Sequence, residues 1–306
     1  MEYNDLVKKA VNKKLSKVII PVAGLGTRML PATKAIPKEM LPILDKPIIQ
    51  YVVEEVISAG FKEIILVTHS SKNSIENHFD TSFELEATLE KRIKRSLLRE
   101  IKNISSLKSS IFSVRQGEAK GLGHAILQAK DLVNGEPFAV VLPDRVMNTS
   151  RLNLKKDNLA YMRQFFLKNQ SSIMLFEKVP IKDVSNYGIA KLEKSFNSHS
   201  STSKVVNIYE KPSPNKTPSR FAAVGRYIFE NEIFNYIPHS TMKNKEIEIT
   251  DAINDFIEKD NQVFGTLLKG ECFDCGSKKG YFRSILMTGM NIPEYKKEII
   301  KVTRNK

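Results

Sequence analysis

Three features are scarce in this chain of 306 residues, and two of them limit the class of protein that it can be. Tryptophan is absent, cysteine occurs only twice, and no apolar run reaches the roughly 20 residues that a membrane-spanning helix needs. The first 14 residues are polar and charged, without the apolar stretch of a secretory signal. We therefore expect a cytoplasmic protein with no membrane partner. Hydrophobic residues still make up 41% of the chain, which is enough for a large core.

The two cysteines, Cys272 and Cys275, have the C-x-x-C spacing of a redox pair or of half a zinc site. A tetrahedral zinc site needs two further cysteine or histidine ligands, and the sequence has no second pair. Two reduced thiols in a cytosolic protein are the simpler interpretation, and we favour it.

Acidic residues are fewer than basic ones, with 34 Asp and Glu against 48 Lys and Arg and a net charge of +14. Such an excess is typical of nucleic-acid-binding proteins, whose affinity falls steeply with salt. Here the basic residues are dispersed, and the one cluster, residues 91–95, lies inside a helical pattern without a recognition motif. We expect no nucleic-acid partner, because a positive surface also attracts small anionic substrates.

Short apolar runs alternate with helical patterns along the first half of the chain. The predicted strands there are residues 18–22, 64–68, 112–115 and 138–142. The predicted helices include residues 47–59, 83–104 and 123–132. This alternation predicts an α/β protein with a Rossmann-like, mixed but mostly parallel sheet flanked by helices. Ligands in such sheets bind at the carboxyl ends of the strands.

The pattern changes after Asp144, where an additional, smaller sheet region is expected. Its predicted strands are residues 173–178, 205–209, 221–229 and 263–268. Residues 195–203 read as an exposed loop because they are rich in serine and asparagine. Asp251 is expected to cap a helix over residues 252–257.

A glycine turn follows the first predicted strand. Gly24 and Gly26 lie where that strand must turn sharply into a helix, with backbone N–H groups facing a ligand. A dinucleotide fingerprint needs a third glycine where Met29 stands, and the Gly-Lys-Ser/Thr of a P-loop is missing. The loop continues to Arg28 and, past two prolines, to Lys38. Two cations over a glycine turn suit a polyphosphate, although many glycine turns bind nothing.

Residues 24–42 as a whole are similar to the signature of the sugar-nucleotidyltransferase family. The likeness continues through residues 46–47, 68–73, 77–80, 115–117, 120–125, 142–144, 210–212, 224–227, 249–253 and 274–276. Within the family, the chain resembles the branch that transfers a uridylyl group from UTP to glucose 1-phosphate and releases pyrophosphate. The resemblance implies the nucleotidyltransferase fold, Mg²⁺ as cofactor, and a homodimer or homotetramer in which the helix after Phe83 is a candidate contact.

The same resemblance implies one continuous catalytic domain in two halves. Residues 17–150 would form the nucleotide-binding half, after an extension over residues 1–16. Residues 151–306 would form the sugar-phosphate-binding half and a C-terminal oligomerisation region.

The resemblance also implies roles for individual residues. Arg28 and Lys38 would grip the triphosphate, and Lys211 would contact the sugar phosphate. Asp144, also counted as catalytic, would hold Mg²⁺ with Asp274 as a second ligand. Gln116 would read the uracil edge, since an amide both donates and accepts hydrogen bonds. The predicted substrate-binding residues are Ala23, Gly24, Gly26, Thr27, Gln116, Gly121, Gly188, Glu210, Lys211 and Gly225.

Without the resemblance, plainer interpretations stay open for several of these residues. Asp144 suits a turn at a strand end, Gln116 suits a loop, and Glu210 with Lys211 suits a solvated ion pair. Glu210 and Lys211 share a face only if Pro212 ends the strand beside them, because neighbours on a strand point to opposite faces. Three histidines in shared motifs are expected only to make structural hydrogen bonds: His69, His78 and His124.

Two rival functions from the same family remain, a non-catalytic regulatory relative and a thymidylyltransferase. Regulatory relatives have a damaged Gly-Thr-Arg loop, whereas Thr27 and Arg28 are intact here. Residues 35–39 and 79–95 favour the uridylyl branch. One departure is Arg145, where the family usually has an apolar residue. If the Arg145 side chain lies on the same face as the predicted metal ligand Asp144, its charge would either weaken Mg²⁺ binding or help to hold phosphate. If it points to the opposite face, it would do neither. Residues 188–191 are also less typical, which leaves strict glucose preference less secure than nucleotidyl transfer.

Overall fold

The computed structural model describes residues 14–107, 111–196, 201–240 and 246–304. Most of the predicted extension over residues 1–16, and residues 197–200 of the predicted exposed loop, lie outside the described residues. The strands are β1 Lys17–Pro21, β2 Pro42–Ile43, β3 Lys46–Pro47, β4 Glu63–Thr68, β5 Ile111–Arg115, β6 Phe138–Val141, β7 Arg145–Met147, β8 Ser172–Lys178, β9 Gly188–Leu192, β10 Thr202–Glu210, β11 Phe221–Phe229, β12 Val263–Leu267 and β13 Cys272–Asp274. The α-helices are α1 Ile48–Ser58, α2 Asn73–Phe79, α3 Phe83–Lys91, α4 Arg95–Ser106, α5 Leu122–Gln128, α6 Lys130–Val133, α7 Leu159–Asn169, α8 Ile249–Glu258, α9 Lys278–Met290 and α10 Pro293–Arg304.

A nine-stranded mixed sheet in the order β5-β4-β1-β6-β11-β8-β12-β10-β9 organises the molecule. Strands β5, β4, β1 and β6 are parallel neighbours. Strands β11 and β10 run against the others. Strand β9 pairs with β10 and also with β11, so the five strands from the second half of the chain curl back on themselves within the same sheet. The predicted α/β class with a mixed sheet is confirmed.

Side chains of the central strand β1 alternate between two cores. Val18 and Ile20 pack with helices α1 and α7 on one face, and Ile19 packs with α5 and α8 on the other. All three side chains are fully buried. Because helices cover both faces, β1 carries apolar residues at successive positions rather than alternating ones. This arrangement fixes the carboxyl end of β1 beside that of its parallel neighbour β6.

The prediction of one helix over residues 83–104 is wrong. The structure has two helices, α3 and α4, separated by a turn in which Ile93 has φ of 56°. Four like charges surround Ile93, and its side chain is 72% exposed. No buried partner therefore holds this stretch in the helix that its periodicity suggested, and local repulsion opposes that helix. The helix predicted over residues 123–132 is likewise divided at Ala129.

The prediction that Asp251 caps a helix is also wrong. Helix α8 begins earlier, at Ile249, and Glu248 is its N-cap residue without a side-chain capping bond. Ile249 and Thr250 are buried, so packing extends the helix by a turn that capping rules do not reveal. Asp251 lies in the first turn, where a negative charge favours the helix dipole. Strand β10 similarly takes the last residues of the loop predicted over residues 195–203.

A short ribbon that the sequence did not predict positions the site. Strand β7 pairs with β13 in antiparallel register, with Arg145 opposite Asp274. Residues directly opposite in such a pair have side chains on the same face. The ribbon therefore brings residues 145–147, at the end of the first half of the chain, against residues 272–274 in the C-terminal part.

None of the helices in the described part of the chain has the length and apolar character that a membrane span requires.

Candidate active site

The segment between β1 and β2 is a compact loop, and the helix expected directly after the glycine turn does not begin until Ile48. It is built from 3₁₀ turns at Thr27–Met29, Ala32–Lys34 and Lys38–Met40. Gly26 has φ of 67°, and the Thr33 hydroxyl donates a 2.8 Å hydrogen bond to its carbonyl. A Cβ added at Gly26 would lie 3.4 Å from the Cβ of Lys38. The loop therefore folds back on itself, and no α-helix begins directly after the glycine turn.

Asp144 lies after the end of β6 and forms ion pairs with the two predicted cations, Arg28 and Lys38. Lys38 Nζ lies 2.7 Å from Asp144 Oδ2, and Arg28 Nη2 lies 3.6 Å from the same oxygen. The side chains of Asp144 and Lys38 are only 14% and 16% exposed, whereas that of Arg28 is 65% exposed. The structure thus brings Asp144 against two cations from a loop that is distant in the sequence, and the Arg28 side chain remains largely exposed.

Electrostatics keep both members of the inner pair charged. Burial alone would raise the pKa of Asp144, but the Lys38 ammonium, its hydrogen bond and Arg28 hold that pKa below its ordinary value. Burial works to lower the pKa of Lys38, and the Asp144 carboxylate raises it above its ordinary value. The two shifts agree in sign, because each partner stabilises the other's charged form.

The turn after β13 packs directly on this cluster. Cys275 N donates a 2.8 Å hydrogen bond to the Asp144 carbonyl, and Gly276 N donates to Asp274 Oδ1 at 3.2 Å. A Cβ added at Gly276 would lie 2.6 Å from Asp144 Oδ2 and 2.8 Å from Arg28 Nη2. Glycine is therefore required here for close approach to the two charged side chains.

We expect Gly276→Ala to lower turnover in the nucleotidyl transfer that the resemblance implies by about tenfold to a hundredfold. The added methyl group would displace the Asp144 and Arg28 side chains, and displacements of this size from productive geometry have such effects. The atoms that must move are the ends of the Asp144 and Arg28 side chains, so the melting temperature should change little. Steady-state kinetics and thermal unfolding of the same sample check this. Gly117→Ala is the matched control, because no atom lies within 4 Å of the Cβ it would add. Equal kinetics for Gly276→Ala and this control would contradict the packing argument.

Arg145, the departure from the family pattern, is buried and already paired. Its guanidinium forms an ion pair with Glu177 and lies 5.8 Å from the centroid of the Tyr187 ring. It lies on the same face of the ribbon as Asp274. Its charge is thus neutralised mainly within the protein, and the side chain forms part of the wall of the site.

Gln116 and Gly121 lie near the carboxyl ends of β4 and β5. The Gln116 amide nitrogen donates to the Gly121 carbonyl at 3.3 Å and lies 2.9 Å from His124 Nδ1. Gly121 has φ of 99°, and an added Cβ would lie 2.7 Å from the Ile247 carbonyl oxygen. The structural demand for glycine at this position therefore comes from the chain itself.

The end of β10 brings together the predicted sugar-side residues. Lys211 leaves the strand with φ of 44°, and its Nζ lies 3.2 Å from Glu210 Oε1 and 3.7 Å from Glu248 Oε1. Gly188 on β9 is paired with Glu210. The predicted strand end at Pro212 is confirmed, and the left-handed backbone at Lys211 lets neighbouring side chains meet.

A cavity of about 1570 Å³ joins these parts of the molecule. Five of the residues that line it are Arg28, Arg145, Tyr187, Lys211 and Asp274. It therefore runs from Arg28, the exposed member of the cation cluster, to Lys211 just after the end of β10.

Not every predicted residue reaches this space. Gln116, Gly121, Gly188 and Glu210 are absent from the described lining of the cavity, as are Lys38 and Asp144 of the cation cluster. Gly225 is buried, and an added Cβ would lie 2.6 Å from Leu142 Cδ1. Ala23 is buried, while Gly24 and Thr27 are exposed in the loop. The three histidines make the structural hydrogen bonds that were expected: His69 with Ser71, His78 with Gln50, and His124 with Gln116.

Sequence reasoning missed two buried ion pairs behind the site. Lys72 Nζ lies 2.8 Å from Oε2 of Glu39, the residue that follows Lys38 in the chain. Burial raises the pKa of Glu39. Arg226 Nη2 lies 2.7 Å from Glu55 Oε2. Glu39, Lys72 and Arg226 belong to motifs shared with the family, but a charged residue in a motif gives no sign of which residue it faces.

The two cysteines lie on either side of Asp274 in the chain and are both free, and Cys272 lines the cavity. Burial raises the pKa of Cys272 to about 11 and that of Cys275 to about 12. Thiols with such values remain protonated and unreactive at neutral pH, which supports the interpretation of two reduced thiols.

Comparisons with known proteins agree with this geometry. Residues 17–288 match the family model described as nucleotidyl transferase. A curated UTP–glucose-1-phosphate uridylyltransferase from Haemophilus ducreyi is 52% identical over 271 residues, which cover 88% of this chain and 92% of the relative. A solved structure of a UTP-bound UGPase from Acinetobacter baumannii superposes with a TM-score of 0.86 at 41% identity, covering 95% of this chain and 99% of that chain. A UDP-glucose pyrophosphorylase complexed with UDP-glucose gives a TM-score of 0.77 at 38% identity, covering 89% of this chain and 97% of that one. The chain therefore belongs to the nucleotidyl transferase family, within the branch that contains the UTP–glucose-1-phosphate uridylyltransferases.

Proposed function

We propose that this protein transfers the uridylyl group of UTP to glucose 1-phosphate, forming UDP-glucose and releasing pyrophosphate. The observation that carries the proposal is the cluster of Arg28, Lys38 and Asp144 beside the glycine turn, at the carboxyl ends of β1 and β6. Relatives with the corresponding activity in their names, and solved structures with UTP or UDP-glucose bound, support it.

The chemistry needs positioning and charge stabilisation more than proton transfer. A sugar phosphate is already ionised at neutral pH, so no strong general base is required. The barrier comes from repulsion between two anions and from charge that builds on the departing pyrophosphate. Arg28, whose side chain is largely exposed, and Lys38, which is held by Asp144, would contact the triphosphate and stabilise that charge.

The carboxylates present suit Mg²⁺. Both cations approach Asp144 Oδ2, and among the described residues no hydrogen bond reaches Oδ1. Asp274 supplies further oxygen atoms. In the described part of the chain, no group of three or more His, Cys, Asp or Glu side chains could hold a metal ion, so the protein would supply two carboxylates. Mg²⁺ commonly takes one or two carboxylates besides phosphates and water. Asp144 and Asp274 would hold the ion, which when bound neutralises charge at the α-phosphate.

The base would lie against Gln116 and the backbone of Ala23, Gly24 and Gly121. Because its nitrogen faces the Gly121 carbonyl and His124, the Gln116 oxygen is the atom left to accept from a pyrimidine N–H. Uracil and thymine share that edge and differ by one methyl group. The preference for UTP over dTTP therefore rests on the relatives and not on this contact.

The sugar phosphate would lie at the end of β10. Glu210 would accept hydrogen bonds from the sugar hydroxyls, and Lys211, which is half exposed, would exchange its carboxylate partners for the phosphate. Gly188 beside Glu210 would let the sugar approach the backbone. Residues 17–150 and 151–306 would thus bind the nucleotide and the sugar phosphate respectively.

A pyrophosphate-release assay with Mg²⁺, UTP and glucose 1-phosphate tests the proposal. Release with UTP should exceed release with dTTP, and glucose 1-phosphate should be preferred to galactose 1-phosphate. Equal or faster release with dTTP would favour the thymidylyl alternative. Binding of UTP without any turnover would favour the regulatory alternative.

Assembly as a homodimer or homotetramer is part of the same proposal. The surface of helices α3 and α4 is its candidate contact, because Phe83 is 81% exposed there and Ile93 also faces outward. Sedimentation of the purified protein distinguishes these assemblies from a monomer.

A further inference from the structure

A fully buried arginine lies directly behind the loop that carries Asp144. Arg226, on β11, has an exposure of 0%. Its guanidinium makes hydrogen bonds in every direction: Nε to Glu55 Oε1 at 3.0 Å, Nη1 to the carbonyls of Leu142 at 3.1 Å and Gly225 at 3.2 Å, and Nη2 to Glu55 Oε2 at 2.7 Å and to the Arg145 carbonyl at 2.6 Å. These contacts use all five N–H donors of the side chain.

Two of these bonds bracket Asp144. The Leu142 and Arg145 carbonyls stand on either side of the Pro143-Asp144 pair, so one rigid planar group holds both ends of the turn. A lysine has a single nitrogen and cannot span the same acceptors in a fork. The turn after β6 is thereby tied to β11 and, through Glu55, to helix α1.

The backbone of β11 is shaped to place this arginine. The register between β11 and β8 shifts between Ala223 and Tyr227, and Gly225 within that shift has φ of 79°. Leu142 N also donates to the Gly225 carbonyl at 2.9 Å. A buried ion pair is a poor device for stability alone, since apolar residues of similar size often serve as well. What the guanidinium supplies is a fixed geometry.

We propose that Arg226, held by Glu55, is a positioning residue that fixes Asp144 for binding the divalent ion. This inference rests on the proposed function. Arg226 is completely buried and so out of reach of a substrate, and its effect passes through the backbone of the Asp144 turn. It differs from Lys38 and Arg28, which contact the Asp144 carboxylate itself.

The test compares the affinity for UTP, measured by calorimetry, with Mg²⁺ present and with Mg²⁺ removed by EDTA. The ratio of the two affinities is the Mg²⁺-dependent gain, and it requires no turnover. Arg226→Lys, which keeps the charge and loses the fork, should reduce this gain at least tenfold. Its affinity for UTP in EDTA should stay within about twofold of the wild type.

Lys17→Met is the matched control. Lys17 is buried at the opposite end of β1, where its Nζ bonds to the Val133 carbonyl at 3.0 Å and lies 3.4 Å from Glu136. This variant should also lose stability but should keep the full gain. If it loses the gain as well, the effect is a general consequence of destabilisation and the proposal is overturned.

Glu55→Gln decides the matter if Arg226→Lys does not fold. It keeps the side-chain size but weakens the hold on the guanidinium, so it should reduce the gain, though less than Arg226→Lys. A folded Arg226→Lys or Glu55→Gln with the full gain shows that Arg226 does not act on the metal site. A wild type that binds no UTP at all contradicts the proposed function instead.

Discussion

Replacing Asp144 by asparagine is expected to lower turnover by roughly two to four orders of magnitude, since the change removes a charged group at the reacting phosphates. Asparagine keeps the size of the side chain but loses the charge that Lys38 and Arg28 now contact and that Mg²⁺ would need. Steady-state kinetics with UTP and glucose 1-phosphate at saturating Mg²⁺ measure the effect.

The same variant also has a predicted pH signature in thermal stability. The pKa of Asp144 in the folded protein lies below its ordinary value of 3.8. Its carboxylate therefore contributes stability above that ordinary value, and the contribution is lost as the pH falls through the folded pKa. The difference in melting temperature between wild type and Asp144→Asn should be largest near neutral pH and should shrink in acid.

Asp157→Asn is the control for loss of a paired carboxylate. Asp157 Oδ1 lies 2.8 Å from Lys269 Nζ, at a site outside the cation cluster. This variant should keep wild-type turnover. Near-normal turnover in Asp144→Asn would remove Asp144 from the mechanism.

Replacing Lys38 by methionine is expected to lower turnover by about two to three orders of magnitude, the range for removal of one preorganised donor. The variant also changes Asp144, whose pKa burial alone would raise. Without the Lys38 ammonium, Asp144 should take up a proton at a higher pH than in the wild type. The residual activity should therefore decline at a higher pH as the solution is acidified, which a pH–rate profile records.

Lys34→Met is the matched control for this prediction. Lys34 lies in the 3₁₀ turn just before Lys38 but is exposed. The Lys34→Met variant removes one positive charge from the same loop, as Lys38→Met does. It should leave both the rate and the pH profile close to those of the wild type. Equal losses in the two variants would mean that the net charge of the loop matters and the Lys38–Asp144 contact does not.

Much of the first half of the chain could be predicted because its strands are covered on both faces. Continuous apolar runs at β1 and β6 marked both the parallel sheet and the edge at which Asp144 would lie. The placement of Arg28 and Lys38 near the glycine turn could also be predicted, because both lie in a loop whose prolines and glycines limit its shape. Their convergence on one oxygen of Asp144 was not predicted, since it depends on how the loop folds back.

Other parts of the site left no periodic signal. The ribbon of β7 and β13 has three residues in each strand, too few for an alternating pattern, yet it brings Arg145 opposite Asp274. The need for glycine at position 276 arises only from contact with Asp144 and Arg28. Arg226 read as one charge in a shared motif, and only the packed structure reveals its five acceptors.

The break between α3 and α4 shows the opposite failure, in which a periodic signal was present but misleading. Apolar residues recur at helical spacing through Ile93, and that spacing predicted one long helix. Periodicity reports which residues could share a face, but it does not report whether anything packs against that face. Ile93 is largely exposed in a left-handed conformation, so the pattern was not supported by burial.

A crystal structure with UTP and Mg²⁺ bound tests the central claim most directly. Phosphate oxygens should lie within about 2.7–3.2 Å of nitrogen atoms of Arg28 and Lys38, over the turn at Gly24 and Gly26, with the metal on Asp144. A triphosphate bound away from that turn, or a metal held by other side chains, would contradict the account.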